Sequence, residues 1–146
     1  MDFAEVRRTN KALVKVAKLY RGTQAHLLAE IGLHPGQDVL LWTLGQAPDG
    51  LLVNELAHRL GVESPTVTRT LARLDTGGWF TRENVPGDRR AVRIQLTAQG
   101  RNVLKQIEAT WRTLADDATA GLDRTAREQL VTLLERVQAN LRGKSG

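Results

Sequence analysis

The chain has 146 residues and a net charge of +5, with 41% hydrophobic and only 4% aromatic side chains. This length predicts one domain with a real core, and the few aromatic residues argue against a protein that stacks the bases of single strands. The lack of cysteine excludes disulfides, thiolate metal sites and thiol-based sensing. No apolar run resembles a signal peptide or a membrane span, so we expect a cytoplasmic protein.

Positive charge is concentrated in two segments. Residues 1–22 carry six Lys and Arg against two acids, and residues 64–101 carry seven against three. Residues 23–63, between them, carry one against five. This distribution favours a polyanionic partner, although basic proteins that bind no polyanion also exist.

Residues 2–31 are predicted to form one long helix with heptad spacing. A helix of about 30 residues spans roughly 45 Å, which is longer than a small domain covers. We therefore favour contact with a partner over a helix that crosses only its own domain. Apolar residues fall on two seven-residue series along this helix. The first series contains Phe3, Ala17 and Ile31, and the second contains Val6, Leu13, Tyr20 and Leu27.

A second, buried helix is predicted to begin at residues 34–37, with Pro35 at its first position and His34 as a poor cap. Residues 39–44 are apolar nearly all round, as expected inside a domain. A turn at residues 47–50 follows, and Leu51-Leu52 is a candidate short strand.

A helix-turn-helix is predicted from about Val53. Gly61 interrupts the first helix, and Ser64 and Pro65 suit the N-cap and first position of the second. The second helix has two faces. Its inward face carries Val67, Leu71 and Leu74, whereas its outward face carries Thr66, Arg69 and Arg73, with Ser64 and Thr68 at the margin.

A solvated helix face would explain that outward stripe, but the next segment favours a different interpretation. Residues 79–96 have the pattern of a β-hairpin, with a first strand at Trp79 to Arg82, a turn at residues 85–88, and an alternating strand through Ile94. Arg89 and Arg90 lie at its tip. A helix-turn-helix followed by a basic hairpin is a winged helix, so the predicted fold is mainly α with a small β-hairpin wing.

Two amphipathic helices are predicted after the wing. Thr97 caps the first, and the second begins either at an Asp123 cap or at a capping box from Thr125 to Glu128. Their apolar stripes could close a monomeric bundle or meet a second subunit. These stripes are Leu104, Ile107, Trp111, Leu114 and Ala118, and Ala126, Leu130, Leu133, Leu134, Val137 and Leu141.

The wing carries a more specific signature. Asp88-x-Arg90 is followed by five residues, then by Leu96-Thr97, and Gly100 lies three residues further on. This spacing, together with SPTVTRTLARLDTGGW, resembles the MarR family (multiple-antibiotic-resistance regulators), and the resemblance extends from about Val6 to Leu141. It implies a winged helix-turn-helix lobe at about 33–97 that binds double-stranded DNA. It also implies a helical dimerisation lobe at 1–31 and 98–142, hence a homodimer on a near-palindromic operator.

Candidate DNA contacts follow from side-chain chemistry and from this resemblance. The guanidinium groups of Arg69 and Arg73 are suited to guanine edges, and Arg89 and Arg82 are suited to phosphate. For Arg82 a solvated strand position is an equally good interpretation. By resemblance, Arg90 would enter the minor groove and Asp88 would orient it. Ser64, Thr66 and Thr68 suit phosphates or thymine methyl groups.

The resemblance also implies a switch in which a small phenolic or anionic effector releases a repressor from DNA. An anionic aromatic molecule needs one cation and an apolar wall, which Tyr20, Arg21, His34 and Trp42 would supply. A structural role is favoured for Tyr20, His34 and Trp42. An effector-independent regulator or an activator is the alternative.

An enzyme is disfavoured. His26, His34 and His58 lack metal-ligand spacing, and no phosphate loop, nucleophile elbow or paired carboxylate motif is present. Asp116 and Asp117 are adjacent and so point in different directions on a helix. No cofactor or metal is expected. A winged helix used only for protein contacts would be favoured by an acidic wing, which this sequence does not have.

Overall fold

The computed structural model describes residues 1–144 and confirms a mainly α fold with a small β-sheet. The helices are α1 (Phe3–Ala29), α2 (Gln37–Gly45), α3 (Val53–Leu60), α4 (Ser64–Leu74), α5 (Ala98–Ala118) and α6 (Arg124–Arg142). The strands are β1 (Leu51–Leu52), β2 (Phe80–Val85) and β3 (Asp88–Leu96). Two compact units are present, the first ending at Leu114 and the second beginning at Ala115. The division into reading and dimerisation lobes stays a prediction.

Helix α1 is largely uncovered along its length. The carboxylate of Asp2 caps it by accepting from the Glu5 N–H at 2.8 Å, and Leu28 is its one buried residue. The helix ends at Ala29 rather than at residue 31, because Ile31 lies in a turn whose N–H bonds the Leu28 carbonyl. The apolar side chains of α1 that precede Leu28 therefore do not pack in the core of the first unit.

The start of α2 differs from the prediction. Pro35 is not its first residue, because Gly36 has a φ of +96°, which lies outside the helical region and belongs to a turn. The helix begins at Gln37, and side chains replace the cap that His34 cannot supply. Gln37 Oε1 accepts from the His34 N–H at 2.9 Å, and Asp38 Oδ1 accepts from the Gly36 N–H at 3.0 Å.

The helix-turn-helix is confirmed, with one change at the start of its second helix. Gly61 ends α3 in the left-handed region at φ +67°, which suits a residue without Cβ. Glu63 occupies the N-cap of α4 and Ser64 its first helical position, so the hydroxyl of Ser64 does not cap the helix. Helix α3 begins at Val53, as predicted; Leu52 is its N-cap, and the Leu52 N–H donates to Glu55 Oε1 at 2.9 Å.

The three strands form one antiparallel sheet in the order β1-β3-β2. Leu51 pairs with Ile94, which confirms the short strand before α3. The first strand of the wing is longer than predicted and begins one residue later, because pairing with β3 starts opposite Leu96 and continues to the tip. Only Pro86 and Gly87 lie in the turn between β2 and β3.

The core lies between α2, α3, α4 and the inner face of β3, with one turn of α1 and the first half of α5 packed on it. Apolar side chains at helical or alternating spacing supply it, as the sequence predicts. Its buried members are Leu28, Leu33, Leu40, Leu41, Leu44, Leu51, Leu56, Ala57, Val67, Leu71, Leu74, Ile94, Leu96, Val103 and Ile107.

Both C-terminal helices begin at side-chain caps. The hydroxyl of Thr97 accepts from the Gly100 N–H at 3.1 Å and donates to the Gly78 carbonyl at 2.7 Å, so the predicted cap of α5 also ties it to the segment that leads into the wing. Asp123 caps α6 through the Ala126 N–H at 2.8 Å. The alternative capping box from Thr125 is therefore wrong.

Candidate nucleic-acid interface

Helix α4 separates its apolar and basic faces as its sequence predicts. Val67, Leu71 and Leu74 are at most 3% exposed, whereas Arg69 and Arg73 are exposed on the other side. One nitrogen of the Arg69 guanidinium lies 3.4 Å from the hydroxyl oxygen of Thr66. Two guanidinium groups one turn apart thus project from one helix face, which suits insertion into a groove.

The hydroxyl side chains of α4 are partly committed to the helix itself. Thr68 donates to the Ser64 carbonyl at 3.2 Å, and Thr66 is half-buried. A phosphate oxygen only accepts hydrogen bonds, so Thr68 must rotate its hydroxyl to donate to one. As placed, Thr68 is better suited to present its methyl group.

The wing tip exposes Arg89 and Arg90. The carboxylate of Asp88 accepts from the backbone N–H of Arg90 at 2.9 Å, so Asp88 orders the backbone of the tip and does not hold the guanidinium. Within residues 1–144, no carboxylate lies within the 4.0 Å ion-pair distance of these two guanidinium groups or of those on Arg69 and Arg73. All four cations are therefore available to an external anion.

Arg82 is held differently from the other basic residues of the wing. Its guanidinium pairs with Asp75 at 3.1 Å and lies 5.4 Å from the centre of the Phe80 ring. These contacts join the start of β2 to the end of α4. A phosphate contact by Arg82 would require the Asp75 pair to be shared or broken.

A cleft of about 330 Å³ opens between the helix-turn-helix and the wing, and we call it the wing cleft. Residues 52–54 at the start of α3, Ser64, Asp88 and residues 90–92 line it. It forms because Leu52 pairs with Arg93, which brings the first turn of α3 beside β3. Sequence reasoning missed Asn54 at this site, since only that strand pairing places it next to the wing.

The candidate effector residues are less clearly grouped. Trp42 is half-buried and packs against Trp111, with ring centres 5.3 Å apart and planes tilted by 56°. Tyr20, Arg21 and His34 are exposed. In the part of the chain that the structure describes, no hydrogen bond or ring contact joins these three to Trp42. The structure thus gives Trp42 a packing role.

Among residues 1–144, no three His, Asp or Glu side chains are grouped to hold a metal ion. No helix in the same range combines the length and apolar character that crossing a bilayer requires.

Comparison with known proteins gives the same family from sequence and from structure. A model described as MarR family matches residues 21–91. A mutant of MarR from E. coli in complex with operator DNA is similar at 25% identity and a TM-score of 0.77, over 94% of this chain and 99% of that one. A probable transcriptional regulator from Pseudomonas aeruginosa is similar at 28% identity and a TM-score of 0.76, over 86% and 93%.

The S. aureus MepR–DNA complex is similar in fold, with 19% identity and a TM-score of 0.76 over 96% of this chain and 98% of that one. The similarity therefore covers nearly the whole chain and includes the flanking helices as well as the winged helix.

Proposed function

The chain belongs to the MarR family of DNA-binding transcriptional regulators, and on that premise we propose that it acts as a homodimeric, sequence-specific repressor. Its partner is double-stranded DNA with a near-palindromic site. Members of this family are regulators of transcription and not enzymes, and this chain is not an enzyme.

One observation carries the proposal. Arg69 and Arg73 on α4, and Arg89 and Arg90 on the wing, are exposed cations on two neighbouring elements of one winged helix. A guanidinium can bond O6 and N7 of guanine together, so the α4 pair is assigned to base edges in the major groove. By family resemblance Arg90 is assigned to the adjacent minor groove, where base reading is degenerate, and Arg89 to phosphate.

Exposed apolar side chains support a homodimer. Phe3, Leu13 and Tyr20 on α1 are 75%, 41% and 46% exposed, and Leu133 on α6 is 65% exposed. Large apolar side chains in such numbers on two amphipathic helices are typical of an interface. A two-fold axis would place two α4 helices in successive major grooves, about 10 base pairs apart.

Selection of bound duplexes from a random pool tests the proposal directly. We expect an enriched sequence with two inverted half-sites whose centres lie roughly 10 base pairs apart. An in vitro transcription assay with that site placed over a promoter should then show reduced transcript. Failure to enrich any duplex would contradict DNA binding, and an increase in transcript would favour the activator alternative.

We propose further that a small phenolic or anionic effector releases the DNA by favouring a half-site separation that does not fit it. The residues assigned to it are Tyr20, Arg21, His34 and Trp42. The exposed Arg21 cation and the aromatic surface of Trp42 supply the chemistry that supports this assignment. A panel of phenolic acids should lower operator affinity and raise the melting temperature. If neither changes, the effector-independent alternative holds.

A further inference from the structure

We propose that the wing cleft holds one phosphate of the DNA backbone, and that Asn54 is a contact residue for it. This inference rests on the proposed function, since it concerns how the same winged helix holds a duplex. It adds a contact from α3, the helix that carries none of the DNA contacts assigned above.

The cleft brings together donors from three elements. The amide of Asn54 on α3 is exposed, and it has no hydrogen-bond partner among residues 1–144. Ser64 supplies a hydroxyl at the start of α4, and Arg90 supplies a guanidinium from the wing. An amide and a hydroxyl can each donate to a phosphate oxygen, and a guanidinium has five N–H donors, so Arg90 can bond this phosphate while its other N–H groups enter the minor groove.

The path of the DNA backbone favours a phosphate over a base edge. If α4 occupies a major groove and Arg90 the adjacent minor groove, the strand that separates the two grooves must pass between them. The wing cleft is the gap between the start of α4 at Ser64 and the wing at Arg90. What passes there is sugar and phosphate, because base edges face into the grooves.

One carboxylate also lines the cleft and opposes an anion. Asp88 Oδ1 is used by the Arg90 N–H at 2.9 Å, and Arg89 and Arg90 follow it directly in the chain. The nearby Glu55 carboxylate accepts from the Leu52 N–H at 2.9 Å. Both acids thus serve the local backbone, while Asn54, Ser64 and Arg90 keep their donors available.

The test measures binding of the full-length protein to its selected duplex. Asn54→Ala should lower affinity about 10- to 100-fold, the loss expected for one hydrogen bond to a charged group. Asn54→Asp should lower it further, because a carboxylate would face the phosphate. Neither variant should alter base preference. Asn54 is neutral, so Asn54→Ala should leave the salt dependence of binding unchanged, whereas loss of the Arg90 cation should reduce it.

A neutral-phosphate scan identifies the phosphate itself. Each phosphate of one half-site is replaced in turn by methylphosphonate, and affinity is measured for the parent and for Asn54→Ala. We expect one position at which the parent loses affinity and the variant loses markedly less. Asn102→Asp, an exposed asparagine on α5 with the same charge change, is the matched control and should bind like the parent.

The outcomes separate this inference from the proposed function. If the parent binds its duplex but both Asn54 variants bind equally well, the phosphate contact is wrong and the repressor proposal stands. If Asn102→Asp weakens binding as much as Asn54→Asp, the effect is one of overall charge and the contact is wrong. If the parent binds no duplex, both proposals fail.

Discussion

The indole nitrogen of Trp111 donates to the Asp38 carboxylate at 2.8 Å, across 73 positions of sequence. Asp38 is 2% exposed, and its second oxygen accepts from the Gly36 N–H at 3.0 Å. One buried carboxylate thus fixes the turn that starts α2 and holds α5 against it. The bond joins the helix that follows the wing to the core of the first unit.

Replacing Asp38 should destabilise the protein. Asp38→Ala removes two part-buried hydrogen bonds to a carboxylate, and one hydrogen bond to a charged group contributes about 1.5–3 kcal/mol. We expect the urea concentration at the midpoint of unfolding to fall in proportion to this loss in the free energy of unfolding. Asp49→Ala, at an exposed turn position, should change the free energy of unfolding by less than about 0.5 kcal/mol. Equal losses in the two variants would show that the carboxylate bonds contribute little.

Gly100 should not tolerate a side chain. A Cβ built there would overlap the backbone carbonyl oxygen of Trp79, so Gly100→Ala must move α5 away from Trp79. We expect a loss of about 3 kcal/mol in thermal or urea unfolding. Gly22→Ala is the matched control, because among residues 1–144 a Cβ at this position of α1 would meet no group within 4 Å apart from its chain neighbours and the backbone of its own helix. It should stabilise by about 0.5–1 kcal/mol, and a similar loss in both variants would contradict the steric account.

Arg69 and Arg90 should affect binding in different ways. Arg69→Ala should cost roughly 1–3 kcal/mol and relax base preference, because it removes a contact to a base edge. Arg90→Ala should weaken binding to all sequences and reduce the salt slope by about 0.9. Titrations of selected and scrambled duplexes at several salt concentrations measure both effects. If Arg90→Ala binds DNA as tightly as the parent does, the assignment of the wing to the interface is wrong.

Arg82 should contribute less to DNA affinity than Arg89. Its pair with Asp75 at 3.1 Å must be shared or broken before it reaches phosphate, whereas Arg89 has no carboxylate within ion-pair distance in residues 1–144. We expect Arg89→Ala to lower affinity several-fold more than Arg82→Ala in the same titration. Asp75→Asn should release Arg82 and raise affinity. The reverse order of the two alanine variants would show that the pair opens at little cost.

Leu13 and Leu19 test which face of α1 meets the second subunit. Both are exposed, at 41% and 68%, but only Leu13 belongs to the predicted heptad series, and the two point about 120° apart on a helix. Leu13→Asp should convert the dimer to a monomer, whereas Leu19→Asp should not. Light scattering coupled to size-exclusion chromatography gives the masses. If the two variants have the same mass, the heptad face is not the interface.

Much of this protein is determined within short stretches of its sequence. The two-faced pattern of Val67, Leu71 and Leu74, the alternation around Ile94 and the cap at Thr97 depend on neighbours a few positions apart. Helix and strand periods and capping bonds are local, so they can be recognised before the chain path is known. The same locality explains why the fold class and the α4 stripe were predictable, although the first residues of α2 and α4 were not.

The remaining features were decided by tertiary structure. The sequence does not show that Trp111 meets Asp38, that Asp75 pairs with Arg82, or that strand pairing brings Asn54 to the wing. Each contact joins separate elements, and its geometry depends on how the whole core packs. The residue type determines the chemistry of a side chain, but its contact partner is determined only when distant parts of the chain pack together.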